Sequence, residues 1–280
     1  LVFGSELKAL LEHPMVERDL DPESLGHYLS FEYVPTPHAI FRGVRKLRPG
    51  HYLIAERDWI DEARYWDFEI QRSESIRITD PHVHAQKFAG VLQDSVAAEM
   101  VSDVPVGVLL SGGLDSSAVA AMMAKAGGSP IKSFSVGFAE GSFDESSHAR
   151  RVSRYLQTEH HEMTLTPQML LDLLPDLAAH IDEPFADPSV MPTYLVSKFA
   201  REHVKVALGG DGGDEMLAGY STLQAHRVAP FYRRLPAQFR HRVVEPLVRS
   251  LPVSHSDFSL DFKANRFIRG SSEIPSVQHQ

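Results

Sequence analysis

The 280-residue sequence contains no cysteine. These residues therefore hold no disulfide, no thiolate metal site and no cysteine nucleophile, a composition that fits a cytoplasmic protein. Basic residues are also few, since 28 lysines and arginines stand against 37 acidic residues and give a formal charge of −9. This balance argues against a broad surface for nucleic acid or an anionic membrane. We expect neither partner.

Long hydrophobic runs are absent as well. The longest one, Val104–Leu110, is far shorter than the roughly 20 residues that a bilayer-spanning helix needs. With 43% hydrophobic and 23% charged residues, the composition predicts a folded globular chain with a sizeable core. The sequence starts at Leu1 and reads like the interior of a longer chain, so we expect a fragment.

Short apolar runs alternate with helix-type segments in the middle of the chain. The predicted strands are Val106–Leu110, Ile131–Phe138, His161–Leu165 and Val204–Leu208. The predicted helices begin at Asp80, Asp115, Asp144, Thr166 and Pro192. This alternation predicts an α/β fold in which a parallel sheet is flanked by helices.

The two ends of the chain have a different pattern. Residues 5–13 and 23–33 predict short helices, the second capped by Asp21 and Pro22, and residues 41–56 predict only short extended pieces. Polar residues 71–79 predict a linker. Beyond Ser221 the pattern is helical, with breaks predicted at Pro230, Pro236, Pro246 and Pro252.

The first candidate loop, Ser111–Ser116, follows a predicted strand and opens a helix. Ligands of parallel sheets bind at this edge. Its two glycines let the backbone approach a ligand, and amides at a helix start attract phosphate. Asp115 would repel a bare phosphate, which favours a magnesium ion bridging phosphates. The alternative is an ordinary glycine turn with a helix N-cap, and neither the Walker nor the dinucleotide glycine pattern occurs here.

Two further loops follow predicted strands. Gly209–Glu215 combines four glycines with three carboxylates, which could bind magnesium or a substrate ammonium group. The alternative is a flexible, solvated turn. The third loop, Val136–Phe138, could pack on an adenine base or belong to the core.

At these positions the sequence resembles a known family. Ser111–Ser116 resembles the Ser-Gly-Gly-x-Asp-Ser loop of the N-type ATP pyrophosphatases. The segments that resemble glutamine-dependent asparagine synthetases are Phe3–Leu10, Pro49–His51, Val108–Leu110, Ser133–Phe138 and Gly209–Tyr220. The resemblance implies the C-terminal remnant of an Ntn-type glutaminase domain at 1–70 and a linker at 71–79. Over 80–280 it implies a C-terminally truncated ATP pyrophosphatase domain of the adenine nucleotide α-hydrolase type.

The resemblance also implies ATP and magnesium as ligands. It places the nucleotide on Leu109, Ser111, Gly112, Gly113, Asp115, Ser116, Val136, Gly209 and Gly210. Asp115 and Asp214 would hold the metal, and Asp115, Asp211 and Asp214 would be the catalytic residues. The implied reaction adenylates the side-chain carboxylate of aspartate, releases pyrophosphate and aminates β-aspartyl-AMP with glutamine-derived ammonia to give asparagine. A homodimer is one option for its assembly.

The sequence departs from the family in two respects. Many members carry Ser-Gly-Glu-Gly-Ser-Asp-Glu where this chain has Gly209–Glu215, so that Gly209 lacks a hydroxyl and Asp211 is one methylene shorter. This leaves two alternatives open: a related amidotransferase or β-lactam-type synthetase with a different carboxylate, and a nucleotide-binding fragment inactive alone. The family's glutaminase uses an N-terminal cysteine, so we do not expect these residues to hydrolyse glutamine.

Other candidates favour structural roles. His160, His161 and Glu162 could suggest a metal, but adjacent strand residues point to opposite faces. Asp187 precedes a turn, where a solvated carboxylate is the default, although the resemblance places this region near the synthetase pocket or the ammonia route. The C-terminal arginines predict a solvated helix face or an interface rather than an RNA site; they are Arg233, Arg234, Arg240, Arg242 and Arg249.

Overall fold

The computed structural model describes residues 1–68, 80–127, 130–139, 144–252 and 259–271. The predicted linker at 71–79 lies outside the described residues. The chain divides into two compact units. The first contains Leu1–Pro81 and Gln168–Met191, and the second contains His82–Pro167 and Pro192–Gln280.

Helices account for most of the regular structure. In chain order they are α1 (Leu7–Leu11), α2 (Pro22–Phe31), α3 (Pro81–Glu99), α4 (Leu114–Ala126), α5 (Ser146–Leu156), α6 (Pro167–His180), α7 (Val190–Ala200), α8 (Gly213–Leu217), α9 (Ser221–Arg234), α10 (Ala237–Phe239), a π-helical turn (Arg240–Val244), α11 (Glu245–Arg249) and α12 (Leu260–Ser271). The strands are β1 (His51–Glu56), β2 (Trp59–Arg64), β3 (Val106–Leu109), β4 (Lys132–Phe138), β5 (Glu159–Leu165) and β6 (Val206–Leu208).

In the first unit, α2 begins as predicted. Asp21 Oδ2 accepts a hydrogen bond from Ser24 N at 2.9 Å, and Pro22 is the first helical residue. Within residues 41–56, where short extended pieces are predicted, the structure has the six-residue strand β1. The sequence did not predict β2, with which β1 forms a regular antiparallel hairpin. Its turn, at residues 57–58, contains neither glycine nor asparagine, so the usual hairpin signal is missing from the sequence.

Two acidic residues after α6 bind the N-terminal part of the same unit. Asp182 Oδ2 accepts a hydrogen bond from Leu7 N at 2.5 Å. Glu183 Oε1 accepts one from the buried Ile40 N at 2.7 Å, and its other oxygen pairs with Lys46. The segment 168–191 therefore packs with residues far earlier in the chain.

The second unit contains a four-stranded parallel sheet in the order β5-β4-β3-β6. The predicted α/β fold with a parallel sheet is confirmed. Three strand starts differ from the prediction, since β4 begins at Lys132, β5 at Glu159 and β6 only at Val206. Pairing with β4 along its whole length, from Lys132↔Glu159 onward, extends β5 backward.

Helices cover both faces of this sheet. On one face, Val108 and Leu110 pack with Ala120 of α4 and Ala149 of α5. On the other, Phe134 packs with residues of α7 and the segment after it: Val196, Ala200 and Val204. Burial on both faces explains the continuous apolar run of β3, which is why the sequence reveals this strand.

The C-terminal helices correct two of the predicted breaks. Pro230 does not break the chain, because α9 continues through it to Arg234. A proline inside a helix removes one backbone hydrogen bond, and here the neighbouring Tyr232 is buried against Phe267 of α12, with ring centroids 5.5 Å apart. The predicted break at Pro236 is confirmed, since α9 ends at Arg234 and α10 begins at Ala237. The predicted break at Pro246 is wrong, because Pro246 is the second residue of α11 and the helical backbone continues into α11 from the π-helical turn. Across the described parts of the chain, no helix combines the length and apolarity needed to cross a membrane.

Candidate functional site

A cleft of about 380 Å³ opens at the carboxyl ends of β3, β4 and β6. All of its lining residues belong to the second unit. They are Leu109, Leu110, Ser111, Gly113, Asp115, Ser116, Phe134, Ser135, Val136, Phe138, Glu145, Thr193, Val196, Gly209, Gly210 and Asp211. The cleft therefore lies where parallel sheets bind their ligands.

The loop after β3 is fixed by its own serines. Ser111 Oγ lies 3.0 Å from Ser116 Oγ and accepts a hydrogen bond from Gly113 N at 3.2 Å. Gly112 has φ = +85°, and a Cβ there would lie 2.6 Å from the His148 carbonyl carbon of α5. Only glycine fits this position. The loop thereby delivers the first turn of α4, with its free amides, to the cleft.

The loop after β6 packs directly against the start of α4. A Cβ on Gly210 would lie 2.6 Å from Ser116 N, and a Cβ on Gly213 would lie 2.7 Å from Asp115 Oδ1. Since both loops approach closely through glycine, the two motifs that the sequence placed far apart form one wall of the cleft.

Strand β4 supplies an open backbone edge. It pairs with β5 through Phe138, whereas β3 ends beside Phe134, whose carbonyl accepts a hydrogen bond from Leu110 N at 2.7 Å. Backbone groups two residues apart point the same way in a strand. Val136 therefore turns its N–H and C=O toward the cleft, where the described part of the chain provides no strand partner.

The start of α5 is held against β4 by Asp144. Its carboxylate accepts hydrogen bonds from Ser146 N at 3.1 Å and Ser146 Oγ at 2.9 Å. The backbone bond from Ser146 is the main reason why the pKa of Asp144 is lowered. A Cβ on Gly137 would lie 2.9 Å from Asp144 Oδ1, so this glycine permits the close approach.

The structure brings together most, but not all, of the residues named from the sequence. Those lining the cleft are Leu109, Ser111, Gly113, Asp115, Ser116, Val136, Gly209, Gly210 and Asp211. Gly112, also named from the sequence, is not among the lining residues and packs against α5. Asp214 lies in the short helix α8, with its side chain against Gly219, and is not among the lining residues.

Three polar residues of the cleft were not singled out from the sequence: Ser135, Glu145 and Thr193. Ser135 sits inside a strand, and Thr193 lies in α7, which is distant in sequence from both loops. Glu145 could have been noticed, because it directly precedes α5 and thus lies at a helix N-terminus after a strand.

The charge of the cleft is acidic. Asp115, Glu145 and Asp211 contribute carboxylates, and no lysine or arginine is among its lining residues. A polyphosphate could bind here only with a cation that offsets this charge. Carboxylates are the ligands that magnesium prefers, and magnesium sites often use one or two of them together with substrate phosphates. Across the described residues, no cluster of three or more His, Cys, Asp or Glu side chains could hold a metal alone.

The histidine pair of β5 points to opposite faces of the sheet, as predicted. His160 contacts Ser133 and Ser135, whereas the ring of His161 stacks on Phe134 with centroids 5.2 Å apart. Asp187, in the first unit, accepts a hydrogen bond from Ser189 N at 2.8 Å and is not among the residues lining the cleft.

An α/β domain with a parallel sheet and a cleft at its carboxyl edge is the class of protein that these elements define. Residues 87–273 match the asparagine synthase family, and residues 1–66 match the glutamine amidotransferase domain. Because the first match covers more than half of the chain, the chain belongs to the asparagine synthase family.

Individual relatives agree with this assignment. A Methanocaldococcus jannaschii protein that bears the name asparagine synthetase (glutamine-hydrolyzing) 2 is 35% identical over 85% of this chain and 46% of its own length. Asparagine synthetase (glutamine-hydrolyzing) 1 of Bacillus subtilis is 34% identical over 84% of this chain and 36% of its own. Amidase chyE of Penicillium rubens is 33% identical over 66% of this chain and 30% of its own. The chain thus spans less than half the length of these relatives.

Among solved structures, an NH3-dependent NAD synthetase from Campylobacter jejuni matches 68% of this chain and 96% of its own. The identity is 15% and the TM-score is 0.36, which is too low to support an inference.

Proposed function

We propose that the cleft binds ATP and that the protein uses it to form asparagine from aspartate and ammonia. The observation that carries the proposal is the contact between the two loops, in which Gly210 lies against Ser116 at the start of α4. Through this contact, the backbone amides at the start of α4, which could bind phosphate, and the carboxylate of Asp211 share one cleft. Membership of the asparagine synthase family supports the choice of substrates.

The apolar part of the cleft suits the adenosine. Leu109, Phe134 and Val136 provide apolar contact, and the open edge of β4 provides one N–H and one C=O for the base. The polar part suits the phosphates, because Ser111, Gly113 and Ser116 surround the free amides of α4.

The donor set of the cleft fits a magnesium ion that is shared with the phosphates. Asp115 would be its protein ligand, since its carboxylate lies at the same helix start. Asp214, also named from the sequence, is a proposed ligand as well, although it does not line the cleft. When bound, magnesium would neutralise the charge on the leaving pyrophosphate.

The proposed reaction has two steps. An oxygen of the aspartate side chain attacks the α-phosphorus of ATP, and the bond to pyrophosphate breaks. Ammonia then attacks the acyl carbon of β-aspartyl-AMP, loses a proton and displaces AMP. The α4 amides and serines hold the phosphates, while Asp211 and Asp214 are the proposed partners of the substrate ammonium group. Orientation of the attacking carboxylate supplies much of the rate.

The source of ammonia belongs to the same proposal. Residues 1–66 match the glutamine amidotransferase domain, which supports glutamine as the ammonia source in the whole protein. The domain limits at 1–70 and 80–280, the cytoplasmic location and the homodimer stay predictions.

A second candidate is ligation of a different carboxylate with the same ATP chemistry. Gly209 and Asp211 favour it, because they differ from the residues that many asparagine synthetases carry. A relative named as an amidase, at 33% identity, also supports it.

Exchange of labelled pyrophosphate into ATP tests both candidates. We expect exchange that depends on magnesium and on aspartate, because adenylation is reversible. Exchange with another carboxylate but not with aspartate would favour the second candidate. No exchange with any carboxylate, together with no nucleotide binding, would refute the proposal.

A further inference from the structure

Gly209 and Asp211 compete for one place in the loop after β6. A Cβ on Gly209 would lie 2.5 Å from Asp211 Oδ2, which is too close for two atoms that are not bonded. From the same Cβ position, Asp211 Cγ would be 3.6 Å away and Asp211 N 3.9 Å away. The carboxylate of Asp211 is therefore folded back against Gly209 and fills the space that a side chain at residue 209 would need.

Only this carboxylate stands in the way of a side chain at residue 209. The φ angle of Gly209 is not positive, so the backbone angle does not require glycine. The adjacent Gly210 differs, because its added Cβ would meet the backbone of Ser116. A carboxylate can turn to another rotamer, whereas a backbone contact is relieved only when a loop moves. A side chain at residue 209 would therefore redirect Asp211 and leave the loop in place.

The Asp211 carboxylate is available to a ligand. It is exposed and lines the cleft. In the part of the chain that the structure describes, no residue donates a hydrogen bond to it or forms an ion pair with it, and no lysine or arginine lines the cleft. An unpaired carboxylate favours a cationic ligand group. The ammonium group of an amino acid carries that charge and also donates hydrogen bonds.

We propose that Gly209 is a positioning residue that holds the Asp211 carboxylate at the ammonium site of the acceptor. The two residues act as one unit, because the short carboxylate keeps this place only while residue 209 has no side chain. Two of the differences between this loop and the family pattern, at Gly209 and Asp211, then form one paired change that retains an amino-acid acceptor. This inference rests on the proposed function, since it assigns a role to Gly209 at the same site.

A double-mutant cycle tests the coupling of the two residues. Pyrophosphate exchange at saturating magnesium-ATP gives KM and kcat for aspartate in Gly209→Ser, in Asp211→Glu and in the double variant. Each single change should raise KM more than it lowers kcat, because the serine displaces the carboxylate and the glutamate extends beyond its place. In the double variant the longer side chain reaches past the serine. The product of the two single effects on KM should therefore exceed the effect of the double change at least about twofold, the lower end of the coupling between residues in contact.

Succinate, which is aspartate without its amino group, separates positioning from general damage. Gly209→Ser should reduce the preference for aspartate over succinate, because only aspartate has an ammonium group that loses its partner. Damage to the loop as a whole would weaken exchange with both acids equally. Gly90→Ser is the matched control, since Gly90 is exposed with nothing within 4 Å of an added Cβ, and it should keep the wild-type preference.

Two outcomes would overturn the inference. If the single effects multiply in the double variant, the two residues act independently, and equal losses with both acids would make Gly209 structural. If the wild type exchanges with aspartate and either result appears, only this inference fails, whereas a wild type that exchanges with no carboxylate refutes the proposed function as well. The double-mutant cycle decides alone if the wild type does not exchange with succinate. Circular dichroism checks folding, and Gly209→Ala, which adds only the Cβ, replaces a serine variant that does not fold.

Discussion

Gly210 lies directly against the backbone of Ser116, because a Cβ on Gly210 would be 2.6 Å from the Ser116 amide nitrogen. The loop after β6 and the start of α4 therefore meet with no side chain between them. A glycine is required here for the close approach rather than for its backbone angle, since its φ is not positive.

We predict that Gly210→Ala weakens nucleotide binding about 10- to 100-fold, because the added methyl group must push the two loops apart. Calorimetric titration with magnesium-ATP measures the loss. Gly90→Ala is the control, since Gly90 is exposed in α3 with nothing within 4 Å of an added Cβ. It should stabilise the helix by about 0.8–1 kcal/mol and keep the wild-type affinity. Wild-type affinity in Gly210→Ala would contradict the proposed site.

Replacing Asp115 tests the proposed magnesium ligand. Asp115→Asn should abolish magnesium-dependent pyrophosphate exchange while the thermal midpoint stays near the wild-type value, because the side chain lines the cleft rather than the core. Ser111→Ala should cost only about 0.5–1.5 kcal/mol of binding free energy, the contribution of one neutral hydrogen bond. If Asp115→Asn exchanges pyrophosphate like the wild type, Asp115 does not hold the metal.

The stability of the second unit should depend on pH through His160. Burial lowers the pKa of His160 from its ordinary value of 6.5, although Glu162 opposes the shift. The unfolded state then binds more protons than the folded state, so the free energy of unfolding rises with pH. The contribution of His160 is complete above 6.5 and is lost as the pH falls below that value.

Urea unfolding at about pH 5.5 and about pH 7.5 measures this dependence. His160→Leu should reduce the difference in unfolding free energy between the two conditions. The exposed His84, in α3, provides the control, and His84→Gln should keep the wild-type difference. An unchanged difference in His160→Leu would assign the pH dependence to other groups.

Glu183 should be a strong stability determinant of the first unit. Glu183→Ala leaves the buried Ile40 amide without its acceptor and Lys46 without its partner. We expect a loss of about 1–3 kcal/mol in the free energy of unfolding, measured by denaturant titration. Glu62→Ala is the control, because its 4.0 Å pair with Arg48 is largely exposed and should contribute about 0–1 kcal/mol. Equal effects of both variants would refute the role of Glu183.

The parallel sheet could be predicted because β3 is buried on both faces and lies in a continuous apolar run, and because strand-type and helix-type segments alternate along the chain. The hairpin could not, because the residues of β1 and β2 are mostly exposed and their turn lacks glycine. Pro230 misled the prediction for a related reason. Packing of Tyr232 on Phe267 keeps α9 intact, and local propensity contains no information on that contact.

The sequence by itself determined the two loops, Ser111–Ser116 and Gly209–Glu215, since glycine spacing and carboxylates are local properties of the chain. Only the tertiary structure decided which side chains share the cleft. It added Ser135, Glu145 and Thr193 and left Asp214 outside the lining. The physical reason is that side-chain positions depend on how strands and helices distant in sequence pack together, and the order of residues along the chain does not specify that packing directly.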